Sequence, residues 1–262
     1  FAANLIGSGF LGGLVGGFLA GYLMKWIKAN IKGGKTLAGF FNFFLYPVIG
    51  TFVVGTLMLF VVGKPVALIN TGLTDWLNAM QGRNAILLGA LIGAMVSFDL
   101  GGPVNKAAYT FCLAAMGNGN LIPYATFASV KMVSAFTTTL VTKIKPKYFL
   151  EEERELGNST WILGLAGITE GAIPVALNDP FRVLGSFVAG SVVTGAIVAY
   201  FKLGLGVPGA GILSMFFMNW NGAESSIMGG VVWFAAALVG TVISTVLLLI
   251  LKGHKYKKSL SK

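Results

Sequence analysis

Long apolar stretches alternate with short polar ones along this chain. Charge-free runs cover 1–24, 37–63, 107–130, 183–201 and 225–251. Each meets the roughly 17–25 residues with which an α-helix crosses hydrocarbon. The ten-residue alternating strands of a transmembrane barrel do not occur. The pattern therefore predicts an all-α integral membrane protein. Residues 1–24 form a first span with Gly9, Gly13, Gly17 and Gly21 at four-residue spacing, a stripe suited to close helix packing. A second span over 37–62 holds Pro47 as an expected kink, and 63–83, with Leu68, Leu73, Trp76, Leu77 and Met80, reads as an amphipathic helix on the interface. Asn84 to Phe98 is apolar but short, and meets the polar stretch Asp99 to Lys106 before Ala107 to Met116 turns apolar again. A span over 121–142 and a charged loop at 143–155 come next. An apolar stretch with one central acid then runs from Trp161 to Asn178, and a break follows at Asn178 to Arg182. Spans at 183–201 and 227–251 flank a Gly/Pro loop at 203–211, and 252–262 is a basic tail.

Charge placement orients these segments. The chain is 55% hydrophobic and only 11% charged, against about 25% charged in soluble domains. Its net charge of +10 is concentrated: thirteen of nineteen Lys and Arg fall in Lys25 to Lys35, Lys143 to Arg154 and Lys252 to Lys262. That clustering marks cytoplasmic segments near membrane ends, with the tail near lipid headgroups, rather than a nucleic-acid surface. With all three segments inside, the chain must cross an even number of times between each pair. The four later spans satisfy both counts. The piece 84–116 must then cross zero times or twice, its polar centre favouring a broken hairpin, and the segment 161–178 is left as a re-entrant loop.

Both pieces carry an acid where a charge is expensive, about 2.5–3.5 kcal/mol at mid-bilayer depth. Glu170 stands in Gly-Ile-Thr-Glu-Gly-Ala-Ile-Pro, where Gly167, Gly171 and Pro174 oppose a continuous helix. Broken backbone at that depth is tolerated where protein or a watery cavity surrounds it, so Glu170 is the primary candidate for a ligand contact. Asp99 shares the setting, either as a second ligand group or as a partner for Lys106; Asn105 suits a polyol because its amide donates and accepts. Asp179 and Arg182 flank Pro180, as a site pair or as a local pair and helix cap, and Glu224 precedes the last span as a complement to its N-terminus. The single cysteine, Cys112, lies in an apolar run and reads as buried and inert. The single histidine, His254, sits in the basic tail, so neither a metal site nor a cofactor is expected.

Gly-Ile-Thr-Glu-Gly-Ala-Ile-Pro followed by Asn-Asp-Pro-Phe-Arg, with Phe-Asp-Leu-Gly-Gly-Pro-Val-Asn-Lys-Ala-Ala at 98–108 earlier in the chain, resembles the membrane IIC component of the fructose-type phosphoenolpyruvate-dependent sugar phosphotransferase system. The resemblance extends over nearly the whole chain. It implies a dimeric, multi-pass carrier of the bacterial inner membrane with a cytoplasmic C-terminus. The carrier binds a hexose such as fructose outside and presents it inside to a IIB partner phosphorylated on cysteine. It implies further N-terminal helices, so the chain is expected to be incomplete there. Carried over, Glu170 accepts hydrogen bonds from sugar hydroxyls and helps deprotonate the attacking one, with Thr169 and Asn105 beside it; Asp99, Gly171 and Asp179 complete the candidate binding residues. No residue of this chain would carry the phosphoryl group. On this reading 1–62 is a dimerising scaffold, 63–83 a connection, 84–251 the transport region and 252–262 the tail, with the 84–202 part shifting elevator-fashion. Three rivals stand beside it: an ion-coupled secondary transporter of a small polar solute, which also uses broken helices and acids; an intramembrane enzyme on lipid-linked substrates; and a channel.

Overall fold

The computed structural model describes residues 6–31, 38–79, 83–209 and 211–260 of the 262-residue chain. The expected positions Lys32, Lys35, Met80 and Lys262 lie outside them. The chain divides into two compact units, Phe1–Asn78 and Ala79–Lys262.

In the first unit, α1 (Gly9–Asn30) begins and ends later than the expected span, so Lys25 and Lys28 are helical rather than in a loop. After it, 38–79 is helical throughout. It contains α2 (Tyr46–Leu57), α3 (Gly63–Ala79) and two π-helical segments, Phe41–Leu45 and Met58–Val62. The first π segment directly precedes Pro47, which has no N–H for a bond one turn back; widening the turn re-registers the ladder around that gap. The expected boundary at Gly63 is absent: Phe41–Gly72 is one apolar helix long enough to cross a membrane. Its exposed Phe43, Phe52 and Phe60 suit lipid contact. α1 packs on this helix through small residues, Gly16 against Met58 and Gly50 against Met24, and the Tyr46 hydroxyl donates to the Ile31 carbonyl at 2.8 Å. Gly13, Gly17 and Gly21 line an open groove of about 620 Å³ with Phe18 and Tyr22.

The second unit contains α4 (Arg83–Phe98), α5 (Pro103–Gly117), α6 (Ile122–Ile144), α7 (Glu151–Leu165), α8 (Ile173–Asn178), α9 (Pro180–Tyr200) and α10 (Ile227–Leu260). At its centre is α6, buried along almost its whole length. Its serines and threonines make it less apolar than α9 and α10, which are long and apolar enough to span; α6 is enclosed by neighbouring helices. Polar side chains in such a place need partners, and backbone carbonyls supply many of them, although the Ser134, Thr139 and Thr245 hydroxyls have none among the described residues. Ser129 donates to the Trp233 carbonyl, the Trp233 indole to the Ala125 carbonyl, Thr194 to the Ala236 carbonyl and Ser244 to the Ser186 carbonyl. Where helices cross most closely, glycines face carbonyls: Gly89 and Gly195 face each other, Gly93 faces Ser191, and Gly190 faces Gly240.

Three expected loops hold structure. The charged loop 143–155 becomes helical from Glu151, because the Glu153 carboxylate accepts the Leu150 N–H at 2.8 Å and answers one free donor at the start of α7. The Gly/Pro loop opens with a two-residue strand, Gly204–Leu205, that pairs antiparallel with Met218–Asn219 beyond it. The tail is no solvated end but the last turns of the 34-residue α10, with Lys252 buried.

A Cβ at Gly93 would lie 2.1 Å from the Ser191 carbonyl oxygen, whereas one at Gly185 meets nothing within 4 Å. Gly93→Val should therefore lower the melting temperature in detergent by the equivalent of about 1–3 kcal/mol. Gly185→Val should stay close to wild type, and equal melting of the two variants would refute the close crossing of α4 and α9.

Candidate functional site

Two helix breaks, distant in sequence, meet in the second unit. The first joins α4 to α5 through Asp99–Gly102. Asp99 does not pair with Lys106; its two carboxylate oxygens accept the N–H groups of Val104 (2.7 Å) and Asn105 (3.0 Å) and cap α5. Leu100 adopts φ 48° and Gly101 φ 107°, so the chain reverses within a few residues. Burial of Leu100 among Ala172, Val175, Val183 and Phe187 holds this left-handed turn in place. Asn105 is buried and its amide donates to the Val96 carbonyl at 2.7 Å, tying the start of α5 back to α4.

The second break follows α7. Gly167 takes φ 75°, Glu170–Ala172 form one 3₁₀ turn, and α8 continues with Pro174 in its first turn, where a missing N–H costs nothing. Thr169 is buried and its hydroxyl donates to the Glu170 carboxylate at 3.3 Å. Gly171 faces α7: a Cβ there would fall 2.6 Å from Leu163, so its small size serves packing against that helix.

The meeting point is the Glu170 carboxylate. A Cβ on Gly101 would lie 2.6 Å from its Oε1, and the Lys106 ammonium approaches the same oxygen at 3.9 Å. Both side chains are about half exposed. One cation missed in the sequence, Lys131, belongs here too. It projects from the middle of α6, its Nζ lies 5.2 Å from the Phe127 ring centroid, and a Cβ on Gly167 would come within 3.3 Å of that nitrogen. The charges acting on it are those of Glu170 and Lys106. Its signal was present, since Lys131 interrupts an otherwise charge-free stretch. The carboxylate thus presents acceptor oxygens beside two ammonium groups, which suits a ligand rich in hydroxyls.

Asp179 joins a separate, mainly buried cluster. Its oxygens accept from Arg182 and Lys255, both at 3.0 Å. Burial opposes its ionisation, but the hydrogen bonds and charges of Lys255 and Arg182 outweigh that and hold its carboxyl below the usual value. Beside it Glu153 accepts from Asn178 at 3.2 Å and pairs with Lys252 at 3.8 Å. Cys112 is buried and donates to the Pro123 carbonyl. No group of three or more His, Cys, Asp or Glu able to hold a metal occurs among the described residues.

The chain is 61% identical over 234 residues to the PTS system 2-O-α-mannosyl-D-glycerate-specific EIIABC component of Escherichia coli (strain K12), covering 89% of this chain and 35% of that protein. It is 35% identical over 253 residues to the fructose permease IIC component of Bacillus amyloliquefaciens, covering 96% of this chain and 80% of that one. It is 34% identical to the fructose-like permease IIC component 2 of Escherichia coli (strain K12), covering all of this chain and 70% of that protein. The chain spans between a third and two-fifths of the length of its EIIABC relatives. No family model and no solved structure matches it.

Gly101→Ala should displace the Glu170 carboxylate and weaken binding of a hydroxyl-rich ligand there roughly tenfold or more, about the worth of one charge-assisted hydrogen bond. Gly119→Ala is the control: it shares a positive φ (84°) but has nothing within 4 Å of the new Cβ. Titration calorimetry on both variants checks this, and equal affinities would refute the contact between the two breaks.

Proposed function

Since the chain belongs to the fructose permease IIC family of the sugar phosphotransferase system, we propose that it binds a hexose outside the bacterial inner membrane and presents it inside for phosphorylation. The observation that carries this reading is the half-exposed Glu170 carboxylate held between the tips of two helix breaks by Thr169, Gly101 and Lys106. A carboxylate accepts two vicinal hydroxyls, through bonds about twice as strong as neutral ones. Asp99, Asn105 and Gly171 shape the two tips that hold it, and Asp179 fixes the end of the second break.

Fructose is the reference substrate, because several relatives are named for it. Hexoses bearing a further group belong to the same proposal, because a relative is named for 2-O-α-mannosyl-D-glycerate. The phosphoryl group comes from a IIB partner phosphorylated on cysteine: the sugar hydroxyl attacks phosphorus, the P–S bond breaks, and Glu170 favours loss of the hydroxyl proton. Cys112, buried with its thiol on the Pro123 carbonyl, is no carrier of that group.

The division near Asn78 supports an elevator in which the second unit moves as one body. Gly190 and Gly240 face each other where α9 crosses α10, which supports including α10 in that body. The open glycine face of α1 supports a homodimer through the first unit.

Inverted vesicles loaded with fructose or mannosylglycerate test the reading. Release as sugar phosphate only when phosphorylated IIB is supplied is the expected result. Release of free sugar driven by an ion gradient would establish the ion-coupled alternative instead. Glu170→Gln should keep its fold and lose about 2–4 kcal/mol of sugar affinity, and near-normal affinity would remove Glu170 from the site. With the basic segments cytoplasmic, Lys147→Cys should resist a membrane-impermeant maleimide in intact cells and react once the membrane is opened. Labelling from outside would invert the topology.

A further inference from the structure

Among the described residues, four cations of the second unit near the helix breaks each have an acid. Lys106 meets Glu170, Arg182 and Lys255 meet Asp179, and Lys252 meets Glu153. Lys131 is different. It is partly buried on α6 between residues that are almost completely buried, yet among the described residues no carboxylate lies within 4.0 Å of its ammonium and no hydrogen bond engages it. Its contacts are an aromatic face, Phe127, and the backbone at Gly167, where the missing side chain leaves it room.

An ammonium drawn partly out of water is costly unless a counter-charge or ligand replaces the lost hydration. Glu170 exerts a field on it, but its Oε1 is already approached by Lys106. Asp99, the other acid of these breaks, has both oxygens on the N–H groups of Val104 and Asn105, so neither acid answers Lys131 directly. A neutral hexose would leave that ammonium unanswered, whereas a ligand with hydroxyls for Glu170 and an anionic group for Lys131 would answer it.

We propose that this site takes a sugar carrying a carboxylate, with Glu170 receiving the sugar hydroxyls and the Lys131 ammonium receiving the carboxylate. This rests on the reading of Glu170 as the sugar-binding acid and adds the substrate class. Lys131 is then the specificity-determining residue, and Gly167 is the position that admits its head. Lysine fits the task, since its ammonium is a compact charge with three donors on a flexible stem. The same ammonium could face the phosphoryl group of a product, so the test separates the two anions.

Binding is measured by calorimetry on the whole detergent-solubilised protein with 2-O-α-mannosyl-D-glycerate, the neutral mannosylglycerol, and mannose 6-phosphate. Wild type should bind the glycerate most tightly. Lys131→Gln should weaken the glycerate roughly 10- to 100-fold, the worth of one hydrogen bond to a charged group, and leave mannosylglycerol within about threefold. Lys131→Arg should restore most of the loss, because it returns the charge. Glu170→Gln should weaken both glycosides together. Lys131→Gln leaving the ratio of glycerate to mannosylglycerol unchanged overturns the assignment while the sugar-binding role of Glu170 stands. A loss confined to mannose 6-phosphate also overturns it, and places a phosphoryl group there instead. Insensitivity of both glycosides to Glu170→Gln overturns the underlying reading and this one with it.

Discussion

Backbone broken in apolar surroundings leaves N–H and C=O groups that no solvent will answer, and the second unit is built around answering them. At the first break Asp99 supplies both oxygens to the free donors of α5, and the Asn105 amide reaches back to Val96. At the second, Pro174 removes a donor from the first turn of α8, and the Thr169 hydroxyl turns toward Glu170. Once those demands are met locally, the tips can sit against each other, and the Glu170 carboxylate takes its position from them. The charge at the centre depends on two well-capped breaks more than on any attraction of its own.

Rigidity of the surrounding helices comes from the same scarcity of water. Serine, threonine and tryptophan side chains on α6, α9 and α10 spend their donors on carbonyls of neighbouring helices. Glycines let those helices come close enough for such bonds to form. Side chains that would otherwise be unsatisfied thereby fix the register of one helix against the next.

The parts most legible in the sequence were those where a charge or a proline stood out against apolar neighbours. Glu170 with its glycines, the break at Asp99 and the helical class follow from such contrasts. The partner of Asp99 did not, because an acid just before a helix can cap it or pair with a lysine of the next turn, and only the turn geometry at Leu100 and Gly101 decides. The signal of Lys131, one charge in an otherwise charge-free stretch, is blurred by the many serines and threonines of α6 around it. The expected break between the helices at 37–62 and 63–83 and the expected solvated tail differ from the structure for a related reason: lysines such as Lys64 and Lys252 suggest the end of a span, although a long side chain can leave a continuing helix without ending it. The pairing of Gly204–Leu205 with Met218–Asn219 is too short to show any periodicity.

The length of α10 fixes a depth scale for the second unit. Its 34 residues extend about 51 Å at 1.5 Å per residue, while the hydrocarbon core of a bilayer is about 30 Å thick. Its uninterrupted apolar part ends at Leu251, and the polar turns that follow, from Lys252, belong in the headgroup layer. Lys252 and Lys255 are anchored to Glu153 and Asp179, so those acids share that level. Between Asp179 and Glu170 lie only α8 and one 3₁₀ turn, a rise of about 15 Å. Glu170 is therefore tethered within roughly half a bilayer thickness of the basic surface, on a chain too short to let it wander from that leaflet unless the whole unit travels with it.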